Sequence, residues 1–280
     1  MKVVKAGFAM IHEHLRLTLI GGPTLLIEWR GLRLLTDPTF DDAGSVFEHG
    51  PVVLRKTARP AADVRSVEPI HAVLLSHDQH EDNLDVAGRA LLPRAGRVIT
   101  TQAGASRLGG NAVGLPMWAT TDLTIPDGTT VNVAATPARH GPIGIEPFSG
   151  EVTGFVLTLG SSASDVTRIY ISGDTVWFEG VAEVARRFPD IRVAILHLGA
   201  AKLPALGNAP LTMNSADAVA AARAFESAVI VPVHYQGWAH LSQGRDDFAS
   251  AFARAGLEAR ITWLEPGIPA VIEAASLMKG

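Results

Sequence analysis

The sequence predicts an α+β protein made of two packed β-sheets with helices on their outer faces. Two observations lead there. The first half of the chain is mainly short strands joined as hairpins, and the second half alternates strands with helices. A third sets the domain count. No short-period repeat, low-complexity tract or linker divides the chain, so residues 15–280 are expected to form one domain behind a loosely ordered leader, residues 1–14.

Leu15–Ile20, Thr24–Trp29 and Leu32–Leu35 are apolar or alternating runs separated by Gly21-Gly22-Pro23 and Arg30-Gly31, which reads as consecutive hairpins. Thr36-Asp37-Pro38 closes this meander. Asp41–Pro69 is polar and aperiodic, so a long loop is expected there. Ala72–Ser76 reads as a buried strand, Asp85–Leu92 as a short helix and Arg97–Thr101 as a strand. Val131–Ala135 is a strand, and Val152–Leu159 and Thr167–Ser172 are expected to pair around a turn at Gly160–Asp165. Beyond them, helices at Val181–Phe188, Ser215–Phe225 and Asp246–Ala255 alternate with strands at Val193–Leu196, Val229–Val233 and Arg260–Leu264.

Composition narrows the chemistry. A chain of 280 residues, 47% hydrophobic, can bury a core without a disulfide or structural metal. The formal charge is −4 with no basic stripe, which argues against a nucleic-acid partner. No apolar run reaches membrane-span length. The absence of cysteine fits a cytoplasmic location and excludes thiolate ligands and a thiol nucleophile. Any metal must then sit on His, Asp, Glu or other nitrogen and oxygen donors, which favours zinc, manganese or iron.

Four apolar strands each run into a potential ligand at or just past their C-terminal ends. Ala72–Ser76 leads to His77, Val131–Ala135 to His140, Ile169–Ser172 to Asp174 and Val229–Val233 to His234. Strand ends hold ligands at fixed separations better than loops do. The turn after Ser76, His77-Asp78-Gln79-His80-Glu81-Asp82-Asn83, offers further donors at the point where the core ends.

With these motifs in order, the chain resembles the metallo-β-lactamase superfamily from about Leu15 to Gly267, in the branch of ascorbate-6-phosphate lactonase-like and N-acyl-phosphatidylethanolamine phospholipase D-like proteins. Ile20-Gly21-Gly22-Pro23-Thr24, Leu35-Thr36-Asp37-Pro38, Ser76-His77 to Asp82, Pro137-Ala138-Arg139-His140-Gly141, Ser172-Gly173-Asp174-Thr175 and Pro232-Val233-His234-Tyr235 carry the likeness. The resemblance implies a four-layer αββα sandwich of two mixed sheets and a hydrolase using one or two divalent ions, zinc or manganese. The family turn is His-x-His-x-Asp-His. Read without a gap, Gln79 takes the second His, Glu81 the acid and Asp82 the final His. Read with one inserted residue, His77 and His80 are the two histidines, Asp82 the acid and Asn83 replaces the last His. The second reading keeps both imidazoles and the carboxylate. By resemblance, His77, His80 and His140 hold one metal, Asp82 and His234 the other, and Asp174 bridges them. Asn83 would be a weaker donor at the second site.

Asp82 is also the expected catalytic group, orienting water and shuttling its proton, and His240 is a candidate acid for the leaving group. The expected reaction is hydrolysis of an ester, lactone, amide or phosphodiester in a small anionic molecule, since two cations against two carboxylates leave the site positive. A nuclease of the same fold and a non-catalytic binding or scaffold relative are the alternatives. The remaining candidates carry milder expectations. His197 reads as a core histidine, Asp37 as a turn residue, and His12, His14, His49 and His71 as surface. Tyr235, Trp177 and Trp238 could be packing or substrate wall, and the Asp41–Pro69 and Lys202–Pro210 loops are expected to shape the pocket.

Overall fold

The structure is a computed structural model that describes residues 15–125, 127–160 and 166–272. The expected leader 1–14 and nearly all of the expected turn at Gly160–Asp165 lie outside the described residues.

Strands β1 (Leu15–Gly21), β2 (Thr24–Trp29) and β3 (Leu32–Thr36) form the predicted antiparallel meander. The two-residue turn Arg30-Gly31 places both residues at positive φ, the twist that matches a right-handed hairpin. The stretch expected to be an irregular loop contains a hairpin instead, β4 (Val46–His49) and β5 (Val52–Arg55). Its signal was two short runs on either side of Gly50-Pro51, which the surrounding prolines and charges concealed.

Next come β6 (Ala72–Leu74), α1 (Val86–Leu91), β7 (Arg97–Thr100), α2 (Gln102–Leu108) and β8 (Ala112–Gly114). The last two were not anticipated. Thr101, expected to end a strand, caps α2 by accepting from Gly104 N. The second half contributes β9 (Thr120–Thr124), β10 (Thr130–Pro137), α3 (Glu146–Ser149), β11 (Thr153–Leu159), β12 (Thr167–Ile171), α4 (Glu179–Arg187), β13 (Ile191–His197), α5 (Ser215–Ala224), β14 (Val229–Val233), α6 (Arg245–Arg254) and β15 (Ala270–Ile272). The strand expected at Arg260–Leu264 does not form. Glu258–Arg260 is a 3-10 turn and only Ile261 bridges to Ile230. The cause is Arg260, whose guanidinium donates to the carbonyls of Ala222, Phe225 and Ala228 and holds the segment against the end of α5.

One sheet runs β15-β1-β2-β3-β6-β7-β8 and the other β14-β13-β12-β11-β10-β9. Both are mixed, and they share a plan. In each, three antiparallel neighbours (β1-β2-β3 or β9-β10-β11) lead into three further strands, β6-β7-β8 or β12-β13-β14. Those last strands pair in parallel.

Alternate strand residues face opposite ways. Leu25, Ile27, Val133, Phe155, Ile195 and Val231 meet in the core between the sheets. Ala194 and Leu196 face α4, α5 and α6 through Val184, Ala222 and Phe248. Leu26, Leu35 and Val73 are covered by Leu84 and Leu91 on the other outer face. The four-layer αββα sandwich is the observed fold.

Asp85 pins the approach to the ligand turn. Its buried carboxylate caps α1 at Gly88 N, accepts from Phe40 N and Asp41 N, and pairs with buried Lys56 at 2.8 Å. Breaking a buried pair from one side costs about 3–5 kcal/mol. Asp85→Ala should therefore lower unfolding stability by about that amount in urea titrations, and adding Lys56→Met should restore part of the loss.

Candidate metal centre

The ligand turn follows β6 and is fixed where it begins. Asp37 Oδ1 accepts from Ser76 N at 2.7 Å, fixing the turn's first residue. The other oxygen of Asp37 accepts from His197 Nε2 at 3.0 Å, so both residues are buried supports. Gly173 lets the strands converge here. At φ +59°, a Cβ on it would sit 2.5 Å from Thr153 O and 2.9 Å from the Ser76 Cβ.

His77, His80 and His140 meet at the mouth of the sandwich. His77 Nε2 lies 3.0 Å from His80 Nδ1, and His140 Nε2 lies 3.2 Å from the same atom. Two of the far nitrogens are tied down, with His77 Nδ1 donating to Ser76 Oγ and His140 Nδ1 to Leu211 O, each at 2.9 Å. That arrangement leaves lone pairs aimed inward and is the supporting shell typical of ligating imidazoles. Burial, reinforced by the neighbouring imidazoles, pushes His77 well below the usual histidine range. Burial lowers His140 in the same direction. His77 and His140 are thus held as neutral bases, the form a cation needs. Gln79, the competing reading of the turn, turns elsewhere, its Oε1 accepting from Asp78 N and its amide lying against Gly150.

A second group forms beside the first from Asp82, His234 and His240. Asp82 Oδ2 lies 2.9 Å from His240 Nε2 and 3.3 Å from His234 Nε2. Between the groups stands Asp174, fully buried, with Oδ2 3.9 Å from His140 Nε2 and Oδ1 3.6 Å from His234 Nδ1. Burial alone would raise Asp174 and Asp82. The imidazoles around them outweigh it, holding Asp174 at about 2 and Asp82 well below the carboxylate range. For His234 burial works downward, and the carboxylates of Asp174 and Asp82 lift it to about 9. His234 also sits at φ +56°, a strained setting for a non-glycine residue, fixed by its N–H donating to Gly22 O.

Buried atoms without partners decide whether a cation fits. Asp82 Oδ1, both oxygens of Asp174, both ring nitrogens of His234 and Nδ1 of His240 have no aligned hydrogen-bond partner. Buried polar atoms are rarely left so. Four-coordinate zinc at about 2.0–2.1 Å from each nitrogen spaces them about 3.3 Å apart, close to the spacing found in the histidine trio. The residues present fit divalent metal.

Other candidates fall outside both groups. Asn83 is buried with Nδ2 3.4 Å from Ser76 Oγ and Oδ1 unpartnered. Tyr235 packs edge-on to Trp263, Trp238 packs on Phe47 and Lys56, and Trp177 joins the helix-side core. His71 accepts from Arg33 N, and His12 and His14 lie outside the described residues. His49 is exposed, as expected, yet it lines the cavity above the metal groups and pairs with Glu81 at 2.9 Å. The sequence offers His240 as a pocket-lining residue and candidate acid, not as a metal ligand. Its place six residues after His234 was the available signal.

Comparison with known proteins agrees with this architecture. The family model described as the beta-lactamase superfamily domain matches residues 32–235. A protein of Pyrobaculum neutrophilum named as a metal-dependent hydrolase is 27% identical over 250 residues, covering 88% of this chain and 95% of the relative. The solved isothiocyanate hydrolase from Delia radicum gut bacteria superposes with a TM-score of 0.77 at 22% identity, covering 92% of this chain and 99% of that one. The diiron β-hydroxylase CmlA of Streptomyces venezuelae superposes with a TM-score of 0.64 at 15% identity over 93% of this chain and 54% of that one. Likeness at such identities speaks for the fold, and one fold carries several chemistries.

Two adjacent donor groups give a stoichiometric expectation. Zinc-loaded protein should carry about two equivalents by elemental analysis after gel filtration. His140→Ala and His234→Ala should each lose about one, while Gln79→Ala keeps both.

Proposed function

The chain belongs to the beta-lactamase superfamily, and from that membership we propose that it is a metal-dependent hydrolase of a small molecule. His77, His80 and His140 would hold one divalent ion and Asp82, His234 and His240 a second, with Asp174 placed to serve either. The supporting observation is Asp174, buried without a hydrogen-bond partner and presenting one oxygen to each group. The naming of the Pyrobaculum relative as a metal-dependent hydrolase points the same way.

His240 replaces the imidazole that the turn lacks at Asn83, which accounts for the altered motif without a degraded site. The nitrogen-rich trio suits zinc, and the carboxylate-bearing group accepts zinc or manganese. Placement in the lactonase-like and phospholipase D-like branch rests on the turn and strand-end motifs. A cytoplasmic location is supported by the lack of cysteine. Among the described residues no helix is long and apolar enough to cross a membrane.

Divalent metal bound here would supply Lewis-acid polarisation and lower the pKa of water toward neutrality. The chain does the rest. Asp82 lines the cavity, takes the proton from the attacking water and returns it to the leaving oxygen or nitrogen. His240 keeps that carboxylate oriented through the 2.9 Å contact to its Oδ2. Asp37 and His197 hold the turn that carries Asp82 in register with the second sheet.

Metal-loaded protein should hydrolyse at least one of a p-nitrophenyl ester, an aliphatic lactone and a phosphodiester. Chelation should abolish turnover and added zinc or manganese restore it. Asp82→Asn should lower kcat by about 10²–10⁴-fold, the range for a general acid–base group. Protein that binds no divalent ion and turns over nothing would be the non-catalytic relative instead.

A further inference from the structure

The cavity above the metal groups has a volume of about 240 Å³, and His80, His140, Asp82 and His240 form its floor. Its walls come from both loops expected to shape it. Val52 and Leu54 enter from β5, Phe148 from α3, and Leu203 and Leu211 from the segment after β13. Phe148 is 70% exposed and forms an aromatic lip.

Among the described residues no lysine or arginine lines this cavity. Arg55 and Lys202 neighbour lining residues in the chain without lining the cavity themselves, and three further cations are engaged elsewhere. Lys56 is buried against Asp85, Arg107 grips Asp78, and Arg139 stacks on Phe178 beside a different pocket. Of the other polar residues on the lining, Gln79 and Ser149 are uncharged and His49 is paired with the carboxylate of Glu81. Expecting an anionic ligand counted only the charge of the metals. A metal centre can hold one developing oxyanion, but a phosphate or carboxylate elsewhere on the ligand would enter an apolar wall with no counter-charge. Burying a charge unpaired is costly, and specific phosphate or carboxylate binding ordinarily uses Arg or Lys.

We infer that the substrate is an uncharged ester or lactone with a compact apolar body, which packs on Val52, Leu54, Phe148, Leu203 and Leu211 while its carbonyl reaches the metal floor. This rests on the hydrolase reading and narrows it, setting aside phosphodiesters and substrates with a second anionic group.

The test uses metal-loaded protein and matched pairs. γ-Octalactone is compared with the same lactone bearing a carboxylate at its chain end, and p-nitrophenyl butyrate with bis(p-nitrophenyl) phosphate. The neutral member of each pair should be favoured in kcat/KM by at least about a hundredfold. Val52→Lys, which places an ammonium at the wall, should shrink the lactone ratio by about tenfold or more. Calorimetric binding of the corresponding lactams, with and without the carboxylate, reads the cavity independently of turnover. Preferential binding of the neutral lactam without hydrolysis of any substrate would uphold this inference and sink the hydrolase reading. Turnover that favours the charged members would do the reverse. Equal or stronger binding of the charged lactam, or binding of neither, overturns the inference.

Discussion

Burial of three carboxylates and several imidazoles at one seam is the constraint on which the rest of the molecule depends. Asp37, Asp82 and Asp174 are each at most 4% exposed, and His197 and His234, packed on them, are fully hidden. Charges so placed must be neutralised by partners. For Asp37 the partner is internal, since Ser76 N and His197 satisfy it. For Asp82 and Asp174 protein donors do not suffice, because oxygens of both remain unpartnered. The contrast separates scaffold from centre within a single cluster of acids.

Each donor group draws on both sheets. His77, His80 and Asp82 leave β6 in the first sheet, whereas His140, Asp174, His234 and His240 follow β10, β12 and β14 in the second. The apolar core between the sheets therefore sets the distance between ligands, and packing density reaches function directly. Strain reaches the rim, where His234 takes its left-handed backbone setting at the point of use.

Much of this was legible before any coordinates. His77, His140, Asp174 and His234 are marked by apolar strands ending in a candidate ligand, a pattern fixed by burial alone. His80 was harder, because only the path of the turn shows that its Nδ1 meets the other imidazoles while Gln79 turns toward Gly150. His240 lies on an irregular segment whose course is set by long-range ties such as Lys202 N to His240 O, which leave no periodic trace. The β4–β5 hairpin was hidden for a related reason. Its mostly exposed strands lack the burial that creates strong alternation. Arg260 shows the converse, a run with strand character held out of the sheet by one guanidinium.

The shared plan of the two sheets has a corollary for how such a chain could be divided. Cutting between β8 and β9 would leave two modules of like topology, each with its own three-strand meander and parallel extension. Neither module would own a complete set of ligands, since each trio mixes residues from both. Chemistry would reside in the joint alone. Fragments expressed apart would be inert and regain competence only on reassembly, so the centre acts as a reporter of correct pairing between the two halves of the polypeptide.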